Sequence, residues 1–263
     1  MLETPKAYSD QSVKLERINT MDNQQGNLSF NDMTMRILNT IPYAIGAFLG
    51  DGNARIHTGD ATHGSGYRVC VECSDYEVPS LFIKEVNSLF GTTYIVKNRK
   101  NRYSTLMFQA ITSRKVIYDL FVSLTKFRTE IPEEYFSAER EVQAELIAGL
   151  MDTDGGVSYH EKSDRYQLGF WNTEKVIVSQ LTFLMQRFGV KVGSLGVDIK
   201  YPKKDLYRIT PNIRSFIDSG LYFKVGRKSD RLKSYLTKVN ASETMYATPL
   251  TKGDDIVQSC VKA

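Results

Sequence analysis

Two stretches of this chain, YAIGAFLGDGN at 43–53 and ELIAGLMDTDGG at 145–156, share one pattern: an apolar helical run that closes on an acid followed by glycine. Gly46 precedes Gly149 by 149 − 46 = 103 residues, and the segments that follow each copy come in the same order. Such a repeat constrains the fold more than composition does. Each unit must adopt one architecture, and the two must cover the apolar surface each leaves open.

The first unit reads as a helix entered near Pro42. Strands NARIHT and GYRVCVECS follow, then an amphipathic helix VPSLFIKEVNSLF stopped by Gly91. Strands TTYIVKNR and YSTLMFQAIT, joined by a basic tip, and a helix SRKVIYDLFVSL complete it. The second unit gives EVQAELIAGLMDTDG, GVSYHE, RYQLGFWN, KVIVSQLTFLMQRF stopped by Gly189, strands near KVGSLGVDIKY and DLYRITP, and NIRSFIDSGL. The glycine stops differ by 189 − 91 = 98, so one unit is a few residues shorter than the other. The expected fold is α+β: two pseudo-symmetric αββαββα repeats with antiparallel sheets, at 31–130 and 131–240. The polar segments 1–30 and 241–263 read as a flexible arm and tail. FKVGRKSDRLKSYLTK reads as a basic helix, either solvated or lying along an anionic partner.

Small residues at i and i+4, Gly46 with Gly50 and Gly149 with Thr153, put one narrow face on each motif helix and let two backbones approach. Side by side, the helices bring Asp51 and Asp154 together at their C-terminal ends. A carboxylate there opposes the helix dipole by about 0.3–1 kcal/mol, and two close together repel. A divalent cation relieves both problems, and hard oxygen donors select Mg²⁺ or a similar ion such as Mn²⁺.

Other chemistries fit less well. DTDGG opens like a calcium loop, but Gly156 stands where an acid is needed and Val157 where glycine is needed. Cys70 and Cys73 have metal-ligand spacing without a second pair, and alternation along a strand puts their thiols on opposite faces. With 41% hydrophobic and 24% charged residues and a net charge of +4, the composition is that of an ordinary globular protein. No apolar run approaches a membrane span, and MLETPKAYSD lacks signal-peptide character, so the expected location is intracellular, not secreted.

IAGLMDTDG at 147–155 resembles the LAGLIDADG motif that names a family of homing endonucleases, and AIGAFLGDG at 44–52 is similar to its looser variants. The resemblance covers roughly residues 40–235. It implies a single-chain, monomeric pseudo-dimer whose two curved sheets form a saddle over double-stranded DNA. It also implies divalent-metal-dependent hydrolysis of one phosphodiester on each strand. Asp51 and Asp154 match the family's metal-binding acids, and Gly50 and Thr153 match positions whose carbonyls also reach the metal. Asp152 matches an earlier acid of the motif, but Leu49 stands there in the first repeat, so Asp152 is not taken as a primary ligand. For the basic or polar partner of each half, the alignment offers Gln109 in the first and Lys204 or Arg208 in the second.

A DNA-facing surface needs cations for phosphates and polar groups for base edges. In the first half the candidates are Arg55, His57, Arg68, Glu72, Lys97, Arg99, Lys100, Arg102 and Gln109. In the second they are Ser158, His160, Lys162, Arg165, Gln167, Lys200, Lys203, Lys204 and Arg208. The alternatives on this scaffold are a maturase acting on host intron RNA and a catalytically silent DNA-binding regulator. The length fits a freestanding or intron-encoded protein better than an intein.

Overall fold

The computed structural model describes residues 30–57, 66–199, 202 and 204–246. Lys200 and Lys203, the arm before residue 30 and the tail beyond residue 246 lie outside the described residues.

Helix α1 (Phe30–Thr40) leads into the first motif helix α2 (Pro42–Asp51), with Pro42 at its first turn. The first unit continues with β1 (Gly52–His57), β2 (Gly66–Cys73), α3 (Glu77–Phe90), β3 (Val96–Lys100), β4 (Leu106–Thr112) and α4 (Lys115–Leu124). The second unit has the same order: α5 (Arg140–Asp154), β5 (Gly155–His160), β6 (Arg165–Asn172), α6 (Lys175–Arg187), β7 (Gly196–Asp198), β8 (Leu206–Ile209) and α7 (Ile213–Asp218). The last described helix, α8 (Gly226–Tyr246), runs through the residue-240 boundary placed from the sequence. Gly91 and Gly189 both adopt the left-handed conformation, φ +57° and +85°, that ends a helix cleanly.

The two sheets have equivalent topologies, β1-β2-β4-β3 and β5-β6-β8-β7, and every paired neighbour is antiparallel. Alternation sorts each sheet into two faces. Val69, Val71, Cys73 and Ala110 are buried on one face of the first sheet, and Val157, Leu168, Phe170 and Ile209 on the matching face of the second. Cys70 pairs with Asn53 and Ile111 on the other face, so the two thiols of CVEC point opposite ways, as strand spacing requires.

The motif helices cross between the sheets. Residues 42–50 of α2 are all buried, as expected of a helix apolar around its whole circumference. At the crossing there is no room for side chains. A Cβ on Gly46 would lie 2.2 Å from the Leu146 carbonyl oxygen, and one on Gly149 would lie 2.4 Å from that of Tyr43. The glycine after each acid has a separate reason. Gly52 and Gly155 are extended, φ −74° and −98°, not turn-forming. Each passes so close to the last helical turn that a Cβ would strike Phe48 or Met151 backbone at 2.3–2.8 Å. The Asp-Gly pair is a helix-to-strand switch with no space for a Cβ.

Gly149→Ala is therefore expected to cost about 1–3 kcal/mol, since the obstruction is backbone and cannot swing away. This reads as a fall of several degrees in Tm. Gly156→Ala, whose Cβ meets nothing within 4 Å, is expected to leave Tm unchanged or slightly higher. A Gly149→Ala protein that melts with the wild type would refute the backbone contact.

Candidate active site

At the crossing's C-terminal end the two repeats touch through their acids and small residues. A Cβ on Gly50 would fall 1.9 Å from Thr153 Oγ1 and 3.4 Å from Asp154 Oδ2. Thr153 keeps its hydroxyl turned onto its own helix, donating to the carbonyls of Gly149 and Leu150 at 3.0 and 2.9 Å. Each acid also meets the last residue of the central strand in its own sheet. Asn172 Nδ2 donates to Asp154 Oδ2 at 2.6 Å. Cys73, at the same place in β2, puts its thiol against Asp51.

The unfavourable helix ends are met by two cations, one buried and one half-buried. Lys228, 3% exposed in the first turn of α8, donates through Nζ to the carbonyls of Met151 (3.1 Å), Asp152 (2.6 Å) and Gly155 (2.6 Å) at the end of α5. Arg128 does the same for α2, donating to Leu49 (3.1 Å through one terminal nitrogen), Gly50 and Gly52 carbonyls. Cations on the last carbonyls of a helix complement its dipole. Neither residue was singled out as a catalytic partner from the sequence. The usable signal was spacing: 228 − 128 = 100, between the repeat offsets of 98 and 103.

The backbone that delivers Arg128 is strained. Lys126, Phe127 and Arg128 take φ values of +45°, +59° and +67° in succession. Each left-handed non-glycine residue costs roughly 1–2 kcal/mol. Thr125 holds the loop, its hydroxyl accepting from the Arg128 amide at 3.1 Å and its carbonyl from the Thr129 amide at 2.9 Å.

Lys228 is delivered differently, and the delivery explains Asp152. Its buried carboxylate accepts from Tyr43 OH at 2.9 Å and from the backbone amides of Lys224 and Val225 at 3.0 and 3.2 Å. It thus anchors the segment that leads into α8. Arg227 adds a tie to the first repeat, with Nε and a terminal nitrogen on the Asp75 carboxylate at 2.5 and 2.6 Å. Leu49 has no comparable segment to hold.

Burial pushes the Asp154 carboxyl up to about 7, aided by the Asp51 charge and opposed by Asn172, Arg128 and Lys228. Asp51 is raised too, chiefly by burial, with Arg128 and Lys228 pulling it down. Burial lowers both Arg128 and Lys228. Asp152 is pushed up to about 6 by burial, against the Val225 amide and the Tyr43 hydroxyl.

Among the described residues no group of three or more His, Cys, Asp or Glu side chains could hold a metal ion. The donor set of two carboxylates beside helix-end carbonyls still suits Mg²⁺, which takes one or two protein carboxylates and completes its shell with water and substrate phosphate. The Gly50 carbonyl already accepts from Arg128, and that of Thr153 lies 3.5 Å from Lys228 Nζ. The Asp51 and Asp154 carboxylates are thus the oxygens that would be left to hold such an ion.

The sequence-derived basic and polar partners take other places. Gln109 and Arg208 are equivalent, opposite Glu72 and Trp171 on the open sheet faces. Gln109 donates to Glu72 at 2.6 Å, and Arg208 Nε lies 3.5 Å from Asp198. Lys204 pairs with Glu174 at 2.8 Å. None of the three is hydrogen-bonded to a motif acid. Arg55, His57, Arg68, Glu72, Lys97 and Arg99 share the open face of the first sheet, and Ser158, His160, Arg165 and Gln167 that of the second. Lys100 pairs with Leu106 on the reverse face, while Arg102 and Lys162 sit in the hairpin connections.

Asp154 is protonated more readily in the folded chain than in the unfolded one. Its contribution to stability is therefore fully present below pH ~4 and is lost as pH rises through about 7. Asp154→Asn removes that loss and can keep the Asn172 contact through its amide oxygen. The expected result is a Tm several degrees above wild type at pH 8 and close to wild type at pH 4. Equal differences at both pH values would contradict the buried, repelled carboxylate.

Comparison with known proteins finds this arrangement elsewhere. Residues 141–210 match the model of the LAGLIDADG-like domain. A structure of mesophilic variants of the homing endonuclease I-DmoI superposes with a TM-score of 0.51 at 17% identity, covering 70% of this chain and 93% of that one. A mutant of I-SmaMI superposes with a TM-score of 0.50 at 11% identity, covering 79% and 94%. The probable translation initiation factor IF-2 of Methanocaldococcus jannaschii is 25% identical over 155 residues. That match takes in 57% of this chain but only 12% of the factor's length. The second repeat thus carries a LAGLIDADG-like domain, and the fold of the whole is that of solved homing endonucleases.

Proposed function

We propose that this chain is a site-specific homing endonuclease that hydrolyses both strands of a long duplex-DNA target with Mg²⁺ or Mn²⁺, acting as a monomer. The observation that carries the reading is one carboxylate from each repeat brought to a single point between two open, arginine-bearing sheet faces. Duplex DNA has a two-fold axis relating its antiparallel strands, and a protein with matching pseudo-symmetry presents equivalent groups to each strand. The solved homing endonucleases of the same fold support the activity class.

Asp51 and Asp154 would hold the cation, which when bound supplies Lewis acidity toward phosphate and lowers the pKa of water. Asn172 fixes the rotamer of Asp154. Arg128 and Lys228 lock the helix ends that carry the acids and add positive charge where phosphates would lie. The open sheet faces hold the duplex through phosphate contacts that position it and base contacts that select it.

The decisive experiment is cleavage of a randomised duplex library with Mg²⁺ and with EDTA. Breaks within one long sequence, present with Mg²⁺ and absent with EDTA, are the expected outcome. Asp51→Asn or Asp154→Asn should abolish double-strand cleavage while leaving Kd for the selected duplex within about threefold, or ~0.6 kcal/mol. Intact cleavage in either variant would sink the assignment of the acids.

A further inference from the structure

The two repeats differ sharply at one equivalent position of the open face. Glu72 and Trp171 each precede the residue that meets a motif acid, and each sits opposite the equivalent residue of the next strand, Gln109 or Arg208. Glu72 is fully engaged, accepting from Arg99 at 2.7 and 2.9 Å and from Gln109 at 2.6 Å. Trp171, the one tryptophan of the chain, has no such partner among the described residues. Its indole lies back over Gly169, where a Cβ would come within 2.3–2.9 Å of three ring atoms. Arg208 lies in the same way over Gly196, where a Cβ would come 2.9 Å from its Nε. Glycines on β6 and β7, the two strands that flank β8, thus let an indole and a guanidinium lie low on the sheet beside the motif-helix ends. Trp171 is only partly buried, and its indole N–H has no acceptor among the described residues.

We propose that Trp171 is a specificity-determining contact of the second repeat, packing its ring against the C5-methyl of a thymine in the half-site beneath it. This rests on the endonuclease reading above. In the major groove the thymine methyl is the apolar feature of a base edge, and it is matched by apolar side chains. A ring lying along its strand offers a broad apolar surface that a carboxylate at this position cannot. Arg208 beside it supplies a donor for a neighbouring guanine edge or a phosphate. Glu72 and its bound Arg99 give the first repeat a polar surface at the equivalent position. The two half-sites therefore differ here, and the target is not palindromic at this step.

The test uses the full-length protein and the duplex selected from the randomised library. Each thymine of the half-site bound by the second repeat is replaced in turn by uracil, which deletes only the methyl. Wild type is expected to lose about fourfold in affinity at one position, the factor for a methyl-sized group worth ~0.8 kcal/mol. Trp171→Ala should bind the parent duplex more weakly and show no uracil effect there. Fluorescence of the single tryptophan should also change when the wild type takes up the duplex. A repeated selection with Trp171→Ala should lose the preference for thymine at that position and keep the preferences of the other half-site. An unchanged selected sequence, or a uracil effect that persists in Trp171→Ala, would overturn the inference while the endonuclease reading stood. Equal weakening on all duplexes would assign Trp171 to the sugar-phosphate backbone and overturn its role in specificity. Failure of the wild type to bind or cleave any duplex would remove both the inference and the reading beneath it.

Discussion

Everything at the centre of this molecule depends on two backbones coming into contact. Gly46 and Gly149 face each other's helices with no space for a Cβ, the nearest obstacles being the Leu146 and Tyr43 carbonyl oxygens. One extra carbon on either glycine would force the axes apart, and the next small pair, Gly50 with Thr153, would separate with them. That second contact sets how close the two acids come. The position of the chemistry is thus fixed by steric exclusion several residues away, one turn up each helix.

Close approach creates an electrostatic problem that the surrounding chain resolves. Two helices end on acids, against their dipoles, and both carboxyls are held above their ordinary pKa. Arg128 and Lys228 answer from equivalent places, each donating to the helix-end carbonyls of its own repeat. Buried charges are tolerated when paired and hydrogen-bonded, and here the cations reach carbonyls while the carboxylates keep oxygen sites open. Neutralising the acids by direct ion pairs would have blocked those sites. The cost appears elsewhere, in the three successive left-handed residues that end at Arg128 and in the buried Asp152 carboxylate that anchors the segment before Lys228.

Local chemistry was legible in the sequence wherever it was also repeated. The helix pair, the glycine stops at Gly91 and Gly189, the strand order and the two motif acids all follow from patterns read twice in one chain. The sheet faces followed from alternation, which placed Arg165 and Gln167 opposite Leu168 and Phe170. The supporting cations were not legible. Arg128 sits in a loop with no apolar period around it, and its conformation depends on Thr125 and on carbonyls of a helix some 80 residues earlier in the chain. Lys228 is the one buried charge among the described residues of a helix rich in charge, so its burial is set by where α8 docks and not by composition. Of the two partners aligned with Gln109, Arg208 and not Lys204 shares its register, but a register equivalence does not say which group lies above a carboxylate. Glu72 and Asp198 engage Gln109 and Arg208 instead.

Symmetry is strictest where geometry admits one solution. The Asp-Gly switches are the same in both repeats because a Cβ at Gly52 or Gly155 would strike the preceding turn in either. One residue outward the match weakens, with Cys73 against Asp51 and Asn172 against Asp154. A further step outward, on the open face, Glu72 and Trp171 share nothing but their place in the strand. The gradient follows from what each layer must satisfy. Packing at the crossing involves both repeats at once, so neither can change alone. An open-face residue answers only to its own neighbours and to whatever lies over its own sheet, so nothing in the packing requires the two repeats to match there.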